Sequence, residues 1–146
     1  MNKPKYEVNY FPVDEIYTFT SIGPKGEIKK AVQIYEYQEN IFNLGFGDLD
    51  VATDEIDDNA ESGNHDTEMV LATVISIAMD FLKRNPSASI TFKGNSVSRN
   101  RLYQIAINVY YEEFIEYLEI FGSINGKLEP YQKQKKYESF LIRKLL

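Results

Sequence analysis

Between Tyr6 and Phe46 apolar and polar residues follow a strand-like pattern. Tyr17-Thr-Phe-Thr-Ser-Ile22 leads into Gly23-Pro-Lys-Gly26, a turn whose glycines and proline fit a hairpin connection. Glu27 to Tyr37 supplies Ile28, Val32, Ile34 and Tyr35, and Ile41 to Phe46 returns after the polar Gln38-Glu-Asn40. This predicts an antiparallel meander. The period then changes: Val70, Leu71, Val74, Ile77, Ala78, Phe81 and Leu82 recur at helical spacing. A helix over 66–84 follows, with Asp66 as its N-cap, Lys83 and Arg84 complementing the C-terminal dipole, and Asn85-Pro86 as the stop.

Strand alternation resumes at Ala88, Ile90 and Phe92, and Gly94 ends the strand. A second helix over 98–112 begins at Ser96 or Ser98, and the spacing predicts that Leu102, Ile105, Ala106 and Val109 form its buried face. Leu118 to Ile124 reads as a strand, Asn125-Gly126 is a strong hairpin signal, and Tyr137 to Arg143 supplies a returning strand. The order strands, helix, strand, helix, strands specifies an α+β fold, a mainly antiparallel sheet packed against two helices, in a single compact domain over 1–146.

Composition narrows the possible functions. Without Cys the chain can form neither disulfides nor thiolate metal sites nor a thiol nucleophile. No segment approaches the roughly 20 apolar residues that a membrane helix needs, so a soluble, cytoplasmic protein is expected. Net charge −6 argues against general nucleic-acid binding, which draws its affinity from cationic side chains neutralising phosphates. Eleven Tyr and nine Phe suit sheet packing and also binding surfaces.

Chemistry-bearing residues concentrate in two places. In Lys93-Gly-Asn-Ser-Val-Ser-Arg-Asn-Arg-Leu-Tyr103 a strand runs through a glycine turn into a helix start. The first N–H groups of a helix lack partners within it, so Gly94, Asn95, Ser96, Ser98, Arg99 and Arg101 form a candidate anion site. The same residues also read as a helix cap. Arg99 and Arg101, two apart, point roughly 200° from each other on a helix, and the phosphate-loop pattern is absent.

Between Asp48 and Glu68 stand nine carboxylates and no Lys or Arg. Asp48, Asp57, Asp58 and Asp66 are candidate oxygen ligands for a divalent metal, although the spacing fits no EF-hand loop. No other cofactor is expected. A solvated acidic segment facing a basic partner is the competing reading. His65, the sole histidine, lies beside Asp66 at a helix start and reads as a loop residue. Lys133, Gln134, Lys135 and Lys136 make a short basic patch.

Gly47-Asp48, Ile56-Asp57-Asp58, Gly63-Asn64-His65-Asp66, Val70-Leu-Ala-Thr-Val74 and the 93–103 block resemble, in that order, an uncharacterised family of small bacterial proteins. The similarity spans roughly Phe46 to the C-terminus. Its most specific piece is Gly-x-Ser-x-x-Arg-x-Arg-Leu-Tyr, where that family more often has Gly-Ser-Thr and this chain has Asn95 before Ser96. The resemblance implies a compact bacterial domain and no particular reaction. The expected role is therefore a binding or regulatory protein, inhibitor- or antitoxin-like, meeting a protein partner through an acidic surface. The alternative is a protein or metal-dependent enzyme that holds a small phosphorylated ligand or nucleotide at 94–101.

Overall fold

The computed structural model describes residues 4–50, 52–53, 55–57 and 63–145. The protein is α+β, and the described residues form a mostly antiparallel nine-stranded sheet and three helices. The chain clusters into two compact units, residues 1–35 with 44–80 and residues 36–43 with 81–146.

In the first unit β1 (Asn9–Phe11), β2 (Ile16–Gly23), β3 (Gly26–Gln38) and β4 (Ile41–Asp50) lie in chain order, and β5 (Glu55–Asp57) pairs with β4. The Pro24-Lys25 turn closes the β2–β3 hairpin, where Gly23 pairs with Gly26. Tyr17, Phe19, Val32, Ile34, Leu44 and Phe46 are buried here together with Val70, Ala72, Val74, Ile77 and Ala78 of α1 (Thr67–Arg84). The rings of Tyr6, Phe19 and Phe46 stack in sequence, with centroids 5.8 and 6.4 Å apart. Fully burying one such side chain contributes about 1.5–3 kcal/mol, which is why the apolar period of α1 faces inward.

Lys30 is also buried, and a buried ammonium requires a counter-charge. Asp48 on β4 provides it, 2.5 Å from Nζ. The segment before α1 is fastened to the β2–β3 hairpin by side chains. Asn64 Nδ2 donates to Gly26 O and Ser21 Oγ, Lys25 N donates to Asn64 Oδ1 at 2.7 Å, and Asp66 accepts from Tyr6 Oη and Ser21 Oγ. Asp66 occupies the start of α1 and its carbonyl accepts the first helical bond, from Val70 N. Its carboxylate also serves the strand side, through the bonds from Tyr6 and Ser21.

In the second unit the strand order is β4, β6 (Ser89–Phe92), β9 (Ser139–Lys144), β7 (Leu118–Ile124) and β8 (Lys127–Pro130). β6 runs parallel to the start of β4 and antiparallel to β9. Asn125 (φ 53°) and Gly126 (φ 76°) both adopt left-handed backbone in the two-residue β7–β8 turn, as the Asn-Gly pair predicts. Phe81 and Leu82 from the end of α1, Ile90, Phe140 and Ile142 from the sheet, and Tyr131 and Tyr137 from the β8–β9 connection fill the interior.

The second helix departs from the expectation in phase. It comprises α2 (Val97–Val109) and, after a break at Tyr110, α3 (Tyr111–Phe114). The buried residues are Tyr103, Ala106, Ile107, Tyr110 and Phe114, whereas Leu102, Ile105 and Val109 are exposed. The helix carries two apolar stripes at helical spacing, and the one bearing the aromatic rings faces the sheet. Tyr103 packs edge-on against Phe92 at 5.5 Å, and Phe92 stacks on Phe140 at 5.3 Å. Aromatic rings bury more area than aliphatic chains, so the Tyr103 stripe wins the interior.

Candidate functional site

The 93–103 block is built around Asn100. β6 ends at Phe92 and the chain turns through the buried Gly94. A Cβ at Gly94 would stand 2.2 Å from Asn100 N, so only glycine lets the first turn of α2 approach so closely. Gly94 N donates to Asn100 Oδ1 at 3.1 Å, and Asn100 Nδ2 donates to Tyr137 O at 2.7 Å. Ser96 has extended backbone (φ −136°, ψ 163°), and its hydroxyl oxygen accepts from Arg99 N at 3.1 Å. Its carbonyl accepts from Asn100 N. Ser96 is thus the N-cap of α2, and its side chain is committed to that bond.

Of the six residues proposed for an anion, Gly94, Ser96 and Arg99 share this capped turn. Asn95, Ser98 and Arg101 are exposed. Arg101 lies two positions beyond Arg99 on the helix, so the two guanidinium groups leave α2 on different sides.

Asn100 begins a stripe of amides that sequence reading did not single out. Asn100, Gln104 and Asn108 recur every fourth residue along α2. Their amide nitrogens donate to the carbonyl oxygens of Tyr137, Lys135 and Lys133 respectively, at every second position of the β8–β9 connection running the opposite way. Part of that connection is a turn, in which Lys135 N donates to Gln132 O at 3.1 Å. Gln104 Oε1 also accepts from Tyr137 N, and Asn108 Oδ1 from Tyr131 Oη at 2.5 Å.

The basic patch is therefore held by its backbone. Lys133 Nζ stands 5.0 Å from the ring centre of Tyr111, and Lys135 pairs with Glu129 at 2.7 Å. That pairing, aided by Tyr137 Oη, holds the Glu129 carboxyl below its ordinary range. Burial pushes the Tyr131 hydroxyl up to about 12 and raises Tyr137 as well.

α2 accordingly has a core stripe, an amide stripe, and a third stripe formed by Leu102, Ile105 and Val109, which are 39, 46 and 60 % exposed. Arg101 flanks this third stripe near its N-terminal end, and the exposed Glu112 of α3 follows its C-terminal end.

The acidic candidates lie in the first unit. Asp48 faces the Lys30 ammonium, where a metal would otherwise bring the positive charge. Asp66 accepts from Tyr6 and Ser21. Asp57 pairs with Asp48 through the β4–β5 backbone, its side chain lies outside the described residues, and so does Asp58. His65 is exposed with left-handed backbone, φ 58°. Among the described residues no three His, Asp or Glu side chains gather as a metal site would require. No helix among them is long and apolar enough to cross a membrane.

The chain belongs to a family of unknown function, DUF6934, whose model matches residues 2–145. The match takes in the N-terminal meander as well as the stretch from Phe46 onward. No curated protein and no solved structure matches the chain.

Proposed function

We propose that this member of the family is a small bacterial, cytoplasmic protein-binding module, with a regulatory role, that docks a protein through the outward stripe of α2. The observation that carries this reading is the exposure of Leu102, Ile105 and Val109 on one helix face. Other large apolar side chains are exposed as well, Val13 and Val97 among them, but these three are aligned on one helix face, and it is contiguous apolar patches, not scattered residues, that mark interaction sites. The 94–101 turn supports a ligand less well, because Ser96 already caps α2 and Asn100 is engaged on both of its amide atoms.

The test is affinity capture from the source organism with the wild-type chain and with Ile105→Glu as baits. A protein retained by the first and lost by the second is expected, with identical circular dichroism for both. Identical captured sets would overturn the reading. Inorganic phosphate is expected to leave the melting temperature unchanged, and a rise abolished by Arg101→Ala would favour the ligand alternative.

A further inference from the structure

We infer that the occupant of the α2 stripe is the same stripe on a second copy of the chain, packed antiparallel about a two-fold axis. This rests on the reading that the stripe is a docking surface and names what covers it. The stripe has ends of opposite charge: Arg101 lies at its N-terminal end, and the exposed Glu112 follows Val109.

At the break the backbone of Tyr110 departs from helical angles (φ −99°, ψ 10°), but bonds of helical spacing reach it from both sides. Tyr110 N donates to Ala106 O, Phe114 N to Tyr110 O, and Phe114 is buried in line with Tyr103, Ile107 and Tyr110. At about 100° per residue Glu112 then projects within roughly 20° of Ile105. A surface that is apolar in the middle, cationic at one end and anionic at the other is complementary to itself when reversed. Two-fold symmetry supplies that reversal. An axis level with residues 105–109 sets Ile105 against Val109 of the second copy and brings Arg101 to Glu112 at both ends. A parallel arrangement would oppose Arg101 to Arg101.

One helix face offers less than the roughly 800 Å² per partner of a standard interface. The dimer is therefore weak, forms as concentration rises, and loosens with salt because its charge pairs lie at the rim.

Sedimentation of the purified full chain, up to about 1 mM, where even a weak complex populates, tests this. A concentration-dependent dimer is expected. Ile105→Glu should abolish it, Arg101→Glu should weaken it about tenfold, equivalent to 1.4 kcal/mol, and Arg101→Glu with Glu112→Arg should restore it. Melting temperatures of the variants confirm that each is folded. A monomer throughout, a dimer indifferent to Ile105→Glu, or failure of the charge swap to rescue would overturn the inference. A monomer that still captures a protein through Ile105 would refute self-association and leave the docking reading standing. A monomer with unchanged capture would refute both.

Discussion

Asn100 joins three parts of the second unit through one side chain: the turn after β6, the first turn of α2, and the backbone at Tyr137. Each bond satisfies a backbone group partly withdrawn from water, and leaving such a group unpaired costs about 1–3 kcal/mol. Asn100→Ala strands both and is expected to lower stability by about 2–4 kcal/mol in urea denaturation. Asn100→Asp keeps the acceptor for Gly94 N but sets a carboxylate against Tyr137 O, so it should rescue little. Ser96→Ala removes only the cap and should cost about 0.5–2 kcal/mol. A larger loss for Ser96 than for Asn100 would contradict this division of roles.

At the level of elements, α2 separates what periodicity can say from what it cannot. Both helices, most strands, both hairpin turns and the α+β order were legible, because alternation, Asn125-Gly126 and Asn85-Pro86 are local signals. β5 was not, and the strand returning from Asn125-Gly126 is β8, whereas Ser139–Lys144, read as that return, pairs with the other edge of β7. The inward face of α2 was not legible either. Leu102, Ile105 and Val109 satisfy the same 3.6-residue period as Tyr103, Ile107, Tyr110 and Phe114, and the choice depends on Phe92 and Phe140, which the chain brings in from elsewhere. The Asn100–Gln104–Asn108 stripe was equally present in the sequence, but amides carry no expectation until the carbonyls they serve are located. Likewise Asp48 read as a metal ligand until β3 placed Lys30 beside it. The two stripes predict opposite behaviour: Ile107→Ala should cost about 2–5 kcal/mol, whereas Ile105→Glu should stay within about 0.5 kcal/mol in dilute solution. Equal losses in thermal or urea unfolding would mean that Ile105 is not an outward residue.

Over the whole molecule the charge is unevenly shared. The first unit has five Lys and Arg against fourteen Asp and Glu, and the second has eleven against eight. The net −6 therefore misdescribes the unit that carries the α2 stripe. Stability should respond to pH at both extremes. Burial holds the Tyr131 hydroxyl protonated up to about 12 and raises Tyr6 and Tyr137, above the ordinary value near 10. Raised values mean that the folded state binds these protons more tightly, so their contribution is complete below pH 10 and is lost as pH climbs above it, for Tyr131 towards 12. Glu129, lowered by Lys135, acts in the opposite sense: its contribution holds above 4.5 and fades as pH falls below that value. Tyrosinate absorbance should accordingly show a late-titrating group that rises together with loss of circular dichroism. β6 adds a consequence in time. Its Ile90 pairs with Phe42, 48 residues earlier, and with Ile142, 52 residues later, whereas the β2–β3 and β7–β8 hairpins close over two-residue turns. Chain-closure entropy makes such distant partners late arrivals. Ile90→Ala should therefore accelerate unfolding and leave the refolding rate nearly unchanged in stopped-flow measurements, which would mark β6 as the strand that locks after the hairpins have formed.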